Sequence, residues 1–210
     1  MDNQTLKTGT TTIGIVTSEG VVLASERRAT MGNLIAHKDV QKVFKIDENL
    51  GMTIAGVVGH AQLLTRYVKA EVQLYRLKKG ATMSVKAAST LVANIVRSGF
   101  YVGLIVGGWD RSGGHVYSID GAGGSIEDKY VSVGSGSIFS LGVLENGFKD
   151  GMNLNDAVDL AIASLNASIR RDSASGNGMM VVTINDKGYQ EIPEAEIIQR
   201  TEKLGFKYPN

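Results

Sequence analysis

Thr11-Thr12-Ile13-Gly14-Ile15-Val16-Thr17-Ser18-Glu19-Gly20-Val21-Val22-Leu23-Ala24-Ser25 is the stretch on which the reading of this fold turns. Two β-rich runs flank Ser18-Glu19-Gly20, which favours a turn, so the chain opens with an antiparallel hairpin. A second apolar pair, residues 43–46 and 52–58, brackets the polar Asp47-Glu48-Asn49. Beyond it the period lengthens. Leu63, Leu64, Tyr67, Val68, Glu71, Leu74, Tyr75 and Lys78 recur at helical spacing and predict an amphipathic helix of about five turns. Ser84 is placed to cap a second helix, with Val85, Ala88, Leu91, Val92, Ile95 and Val96 along one face. Strands resume at 101–106, 115–119 and 130–133, with Asp110-Arg111-Ser112-Gly113-Gly114 as a turn. Another helix pair starts near Ser137 and Asn153, the latter followed by Asp156 at capping-box spacing. Residues 179–184 and 189–192 close with a hairpin around Asp186-Lys187-Gly188. Strand pairs alternating with helix pairs are not βαβ units and argue against a doubly wound sheet. The pattern predicts an α+β fold of four layers, α-β-β-α: two antiparallel sheets packed together with helix pairs outside.

A chain of 210 residues can bury a large core as a single domain without disulfides or metals. Apolar residues at 43% and charged residues at 20% are ordinary globular usage. The net charge is +1 and basic residues cluster only in short pairs such as Arg27-Arg28, so neither nucleic acid nor an anionic membrane surface is indicated as a partner. The absence of cysteine removes disulfide scaffolds, thiolate metal sites and thiol nucleophiles, and is compatible with a reducing cytoplasm. No apolar run reaches the roughly 18 residues of a membrane span, and the polar residues 1–9 do not read as a secretory signal. Glycine, at 26 residues, is roughly twice as frequent as usual and is read as many tight turns between short strands.

Familiar catalytic motifs are missing: there is no G-x-S-x-G elbow, no P-loop and no His-Glu-x-x-His. His37, His60 and His115 lack ligand spacing and read as ordinary surface or half-buried residues. Gly121-Ala122-Gly123-Gly124 reads as a glycine turn, because no Lys-Ser/Thr follows to make an anion cradle. What remains is Lys7-Thr8-Gly9-Thr10-Thr11-Thr12. On composition it is a polar tail entering a Thr-rich strand. The alternative is a processing site at Gly9-Thr10. A threonine hydroxyl needs a base beside it, and a freed α-amino group, with a pKa of about 7.7–8.0, supplies one on the same residue. Glycine before the cut would open backbone conformations closed to other residues. Spacing alone leaves both readings open.

Five segments together resemble archaeal proteasome β subunits, in order and at matching separations. They are Thr8-Gly9-Thr10-Thr11-Thr12-Ile13-Gly14-Ile15, Glu26-Arg27-Arg28-Ala29-Thr30-Met31, Met52-Thr53-Ile54-Ala55-Gly56, Gly134-Ser135-Gly136-Ser137 and Arg171-Asp172-Ser173-Ala174-Ser175-Gly176. The resemblance runs over residues 4–206, and its specific part is the Gly-Thr junction together with the Arg-Asp-Ser-Ala-Ser-Gly run. It implies the N-terminal nucleophile (Ntn) hydrolase fold and a threonine peptidase. Residues 1–9 would be a propeptide removed by self-cleavage between Gly9 and Thr10, leaving residues 10–210 as one peptidase domain. By the same resemblance Thr10 is the nucleophile and its freed amine the base. Lys42 is the active-site lysine, and Glu26 its acidic partner, where some relatives carry aspartate. Ser135, Asp172 and Ser175 surround the amine and hydroxyl. Gly56 would offer its N–H to an oxyanion, and Thr30 would pair with the substrate backbone as an added strand. Ala29, Val40, Phe44, Ile54 and Val58 would line an apolar first pocket, giving preference for hydrophobic residues before the cut. Without the family, Lys42 is one of several lysines in a polar connection, Glu26 a solvated strand end and Gly56 a strand-end glycine. Ser135, Asp172 and Ser175 are then turn-formers, and the apolar five are core packing.

The resemblance further implies heptameric β rings stacked between α rings in the cytoplasm, with a regulatory ATPase acting through the α rings on unfolded polypeptides. It implies no cofactor and no metal. Two departures stand out: Ser98-Gly99-Phe100-Tyr101-Val102-Gly103 is shorter than the Pro-containing segment of many relatives, and His60 stands where many carry aspartate. The rivals are an inactive structural ring subunit, against which Thr10, Lys42 and Asp172 argue, and a bacterial-type two-ring threonine protease, against which the Arg171-to-Gly176 run argues.

Overall fold

The computed structural model describes residues 9–100 and 102–209. The opening hairpin joins β1 (Thr11–Val16) to β2 (Val21–Glu26), with Val16 opposite Val21. Its turn is closed by the Thr17 hydroxyl, which accepts from the N–H groups of Glu19 and Gly20 at 3.1 and 3.0 Å. Next comes a small exposed hairpin, β3 (Ala29–Met31) and β4 (Leu34–His37), absent from the sequence reading because its strands are so short. β5 (Val43–Asp47) and β6 (Leu50–Gly56) form the second predicted hairpin. β6 ends at Gly56, and Val58 already opens α1 (Val58–Lys79), so the strand expected over 52–58 stops short. The remaining elements are α2 (Val85–Val96), β7 (Val102–Asp110), β8 (Gly113–Ile119), β9 (Ser125–Asp128), β10 (Tyr130–Gly134), α3 (Ser137–Gly147), α4 (Leu154–Ile169), β11 (Met179–Asn185), β12 (Gly188–Glu191) and α5 (Glu194–Lys203). The pattern had not announced β9, which is exposed throughout, or α5, which buries only Ile197 and Thr201.

The strands build two five-stranded antiparallel sheets, in the orders β10-β1-β2-β11-β12 and β5-β6-β7-β8-β9. Alternation along each strand sorts side chains between layers. In β2, Val22 and Ala24 pack against Leu144 of α3 and Ala161 and Leu165 of α4, whereas Val21 and Leu23 meet Ile105 and Val116 of the other sheet. That sheet is covered on its far side by α1 and α2 through Leu64, Val68, Val72, Val85 and Val92. The result is the expected four-layer sandwich. The buried stripe of α1 runs through Ala61, Leu64, Val68 and Val72, while Leu63, Tyr67 and Leu74 of the predicted face are exposed. Both predicted caps form: Ser84 Oγ accepts from Ala87 N–H at 3.2 Å, and Asn153 Oδ1 from Asp156 N–H at 2.8 Å. The Asp156 carboxylate accepts from the Asn153 side-chain amide at 3.0 Å instead of closing the box on the backbone. Among the described residues no helix is long and apolar enough to cross a membrane.

The excess of glycine has a second cause besides turns. Gly14, Gly51 and Gly107 lie inside strands, facing the opposite sheet. A Cβ on Gly14 would lie 2.7 Å from Val116 Cγ1 and 2.9 Å from Ile105 Cγ2, and one on Gly51 would lie 2.7 Å from Leu23 Cδ1. Bare backbone there lets the two sheets approach closely. Gly14→Ala is therefore expected to cost about 1–3 kcal/mol by overpacking, read as a lower urea midpoint with an unchanged slope.

Candidate active site

β1 lies between β2 and β10, so the residue entering it sits where the ends of three strands converge. Thr11 is opposite Gly134 of β10, and Thr12 is opposite Ser25 of β2. Thr10, just ahead of the strand, is 4% exposed. Close packing on the β10 side depends on glycine. Gly134 has φ 118°, outside the usual range of other residues, and a Cβ there would sit 2.0 Å from the Thr10 carbonyl oxygen. A Cβ on Gly136 would sit 2.1 Å from Thr11 Oγ1.

From the other sheet Lys42, just before β5, reaches the Thr10 hydroxyl with Nζ at 3.1 Å from Oγ1. The same ammonium donates to the Arg28 carbonyl at 2.5 Å and to Glu26 Oε1, so all three of its protons are assigned. Glu26 closes β2 and is fully buried rather than solvated, which corrects its isolated strand-end reading. Its Oε1 also accepts from Thr11 N–H at 3.2 Å, and its Oε2 from the N–H groups of Arg28 at 2.7 Å and Gly176 at 3.1 Å. Four donors on two oxygens are what a buried carboxylate requires. Burial pushes Lys42 below the usual lysine range, opposed by the charge and hydrogen bond of Glu26. Burial likewise raises Glu26, opposed by Lys42 and by the Gly176 and Arg28 amides. Burial thus favours the neutral amine of Lys42 more than water would.

On the opposite flank the Thr10 nitrogen, here an amide joined to Gly9, donates to Ser135 Oγ at 3.1 Å. Ser135 donates in turn to Asp172 Oδ2 at 2.6 Å. Ser175 donates to that same oxygen at 2.7 Å and shares a hydrogen bond of 2.8 Å with Thr11 Oγ1. Asp172 and Ser175 are therefore linked to Thr10 through Ser135 and the neighbouring Thr11. The Thr11 hydroxyl belongs to this hydrogen-bond network although the sequence did not single it out, since inside a Thr-rich strand it carries no separate signal.

The Thr10 hydroxyl donates to the Gly9 carbonyl at 2.6 Å, and Gly9 N–H donates to Thr30 Oγ1 at 3.2 Å. Thr30 thus meets the chain ahead of Thr10 through its side chain. Gly9 is required for space: a Cβ would lie 1.9 Å from Ala174 Cβ and 2.8 Å from Ser135 Oγ. A steric reason thus joins the conformational one that the sequence offered. Gly9→Ala is expected to slow conversion of the precursor at least tenfold by displacing the Gly9 carbonyl, and Ala174→Gly in the same chain to restore part of the rate, both followed by intact mass.

Beside Lys42 opens a cleft of about 380 Å³, a size suited to one side chain or small ligand. Val40, Phe44 and Ile54 line it together with Gly56, which ends β6 at φ 143°. Ala29 lies on β3 and is not part of this lining. Val58 has its backbone at the start of α1, and its side chain lies outside the described residues. The lining is not wholly apolar as expected, because His37, Asp39, Gln41 and Gln62 also contribute. Asp39 is bound by Arg27 at 2.6 Å. The amides of Ala122 and Gly124 both donate to Asp120 Oδ1 at 2.9 Å, so that glycine stretch closes on its own carboxylate as a turn. His60 packs edge-on against Phe100 with ring centroids 5.8 Å apart, in an α1 whose first turn holds no acidic residue. Residues 1–8, and Tyr101 of the shortened segment, lie outside the described residues. Among the described residues no group of three or more His, Asp or Glu side chains is placed to hold a metal ion.

Two face-to-face antiparallel sheets between helix layers, with a threonine at the mouth of the first strand, make up the architecture of the N-terminal nucleophile hydrolase class. Within that class, a model described as proteasome subunit matches residues 6–184. The chain is 50% identical over 209 residues to the proteasome subunit beta of Thermoplasma acidophilum, covering 97% of this chain and 99% of that one. It is 48% identical over 208 residues to the proteasome subunit beta of Methanothermobacter thermautotrophicus, again covering 97% and 99%. With the proteasome subunit beta of Methanocorpusculum labreanum it shares 50% over 201 residues, 93% of this chain and 95% of the relative. The chain belongs to the proteasome subunit family.

Proposed function

We propose that this chain is a proteolytic β-type subunit of a 20S proteasome core, a threonine endopeptidase that frees its own nucleophile by cutting between Gly9 and Thr10. The observation that carries the reading is the position of the Thr10 hydroxyl, 3.1 Å from buried Lys42 Nζ and 2.6 Å from the Gly9 carbonyl oxygen. In self-cleavage Lys42, once neutral, or a water takes the hydroxyl proton while Oγ1 attacks the Gly9 carbonyl carbon. The C–N bond breaks as the proton passes to the leaving nitrogen, giving a Gly9–Thr10 ester and a free amine. Water hydrolyses the ester, leaving a carboxylate on Gly9 and a hydroxyl on Thr10. Residues 1–9 act as a propeptide, and residues 10–210 are the working domain.

In the mature subunit the amine, held by Ser135 and through it by Asp172, replaces the peptide nitrogen and takes the hydroxyl proton during substrate attack. Thr10 forms an acyl ester with the substrate carbonyl, the peptide's amine leaves with a proton, and water completes the cycle. The Gly56 N–H stabilises the oxyanion, and Thr30 aligns the substrate chain. The relatives named proteasome subunit beta support assembly with other proteasome subunits; heptameric β rings between α rings in the cytoplasm, fed with unfolded polypeptide by a regulatory ATPase, are part of this proposal. The inactive-subunit alternative is disfavoured because the Thr10–Lys42–Glu26 chain of contacts is complete. The rest of the site, from Ser135 to Ser175, favours no bacterial-type two-ring assembly over this one.

Acid-quenching the assembled enzyme during turnover of a slow ester substrate tests the nucleophile directly: the trapped acyl group belongs on Thr10, and a label on any other residue overturns the assignment. With Val40, Phe44 and Ile54 in the cleft, peptides with a large apolar residue before the cut are expected to show kcat/KM at least tenfold above those with aspartate there. Equal rates in a fluorogenic peptide series contradict that specificity.

A further inference from the structure

Arg28 touches both halves of the site. Its backbone serves the Lys42 side, the N–H donating to Glu26 Oε2 at 2.7 Å and the carbonyl accepting from Lys42 Nζ at 2.5 Å. Its side chain reaches the Asp172 side. Nη1 donates to the Ser173 carbonyl at 2.8 Å, and Nε to Asn177 Oδ1 at 2.8 Å. Those two acceptors bracket Ser175 and begin one residue beyond Asp172, so the guanidinium spans the turn that carries both.

The turn has features that suit such a clamp. Asn177 has φ 57° and is the one non-glycine residue with positive φ among the described residues, a conformation that costs free energy unless its surroundings hold it. Gly176 passes so close beneath the guanidinium that a Cβ there would lie 2.3 Å from Nη2. The Gly176 N–H also donates to Glu26 Oε2 at 3.1 Å, and its carbonyl accepts from Arg27 N–H at 3.2 Å, so the turn and the end of β2 are tied together at several points. The Ser173 and Asn177 acceptors of the guanidinium are both neutral amide oxygens. Its fixed, planar donors therefore act through direction, which a lysine cannot reproduce.

We propose that the Arg28 side chain is a positioning residue for catalysis: it locks the 173–177 turn so that Asp172 and Ser175 stay aligned with Ser135 and Thr11, and through them with the Thr10 nitrogen. The inference rests on the reading of Thr10 as nucleophile with its amine as base. A base that is misaligned lowers the rate of the chemical step, whereas neither Arg28 nor any residue of the 172–177 turn lines the substrate cleft. Loss of Arg28 is therefore felt in kcat and not in KM.

The test uses assembled particles carrying wild-type chain, Thr10→Ala, Arg28→Met, Arg28→Lys or Asn177→Gly, with one hydrophobic fluorogenic peptide. The rate is expressed per processed chain, counted by intact mass. Arg28→Met is expected to lower kcat by about 10–100-fold with KM within about twofold of wild type. Arg28→Lys reaches only one acceptor and is expected to lose about tenfold, and Asn177→Gly, which keeps the left-handed turn but lacks the amide, severalfold. Should Arg28→Met fail to assemble, the other two carry the test. Wild-type kcat in Arg28→Lys, or a loss confined to KM, overturns the inference. An active Thr10→Ala particle overturns the nucleophile reading instead, so the two failures are distinguishable.

Discussion

A particle assembled with Thr10→Ala keeps its β-type chain uncut and loses peptidase activity by about 10⁴-fold or more, the scale seen when a covalent nucleophile is removed. The expectation follows from geometry. Thr10 Oγ1 is the hydroxyl that Lys42 Nζ approaches at 3.1 Å, and it lies against the Gly9 carbonyl at 2.6 Å. Deleting it leaves neither an attacking oxygen for self-cleavage nor one for substrate. The fold should survive, because the Thr10 backbone contacts to Ser135 and Gly136 do not involve the side chain. Thr10→Ser keeps a hydroxyl and, after cleavage, an amine, and is expected to process and to cut peptides. Intact mass together with peptide hydrolysis checks both variants. Full activity in Thr10→Ala contradicts the assignment.

Lys42→Ala has the second largest expected effect, because it removes a proton acceptor and exposes an electrostatic debt at once. Loss of a positioned acid–base group lowers rates by about 10²–10⁴-fold. Leaving fully buried Glu26 without its cation costs about 3–5 kcal/mol on the scale of broken buried pairs. The double variant Glu26→Gln with Lys42→Met removes both charges and separates the two effects: it is expected to recover stability and remain inactive. The pH dependence has a definite sign. As an ammonium, Lys42 has all three protons engaged and cannot accept another from Thr10; as an amine it can, while still donating to Glu26 and Arg28. Self-cleavage is therefore expected to rise by about tenfold per pH unit and level off at the Lys42 pKa. Burial places that plateau below the ordinary lysine range. A time course of precursor conversion across pH checks it; a rate that falls as pH rises through this range contradicts Lys42 as the base.

The layer order was legible because it rests on local pattern. Period-2 runs give β1, β2, β5 and β6, and a 3.6-residue period gives α1 and α2. Short or exposed elements were not legible: β3, β4 and β9 bury too little to impose alternation, and α5 buries one side chain per turn or less. The glycines were half read. Turns at Gly20 and Gly188 follow from neighbouring residues, whereas Gly14 and Gly51 are explained only by side chains arriving from the other sheet. At the site, Thr10, Lys42, Glu26 and Asp172 came from a family pattern, since no local property of a strand-end glutamate reveals that it is buried on four donors. The need for glycine at position 9 is set by Ala174, far along the chain, and the work of the Arg28 side chain by Ser173 and Asn177. Contacts of that range leave no periodic trace in a single sequence.

The most direct test is the intact mass of the β-type chain from a purified particle that hydrolyses peptides, made by co-expression with an α subunit. The expected chain begins at Thr10 with a free amine, lighter than the precursor by residues 1–9. A fully active particle in which every such chain still begins at Met1 would contradict the central claim that the hydroxyl and the amine of one residue form the catalytic pair.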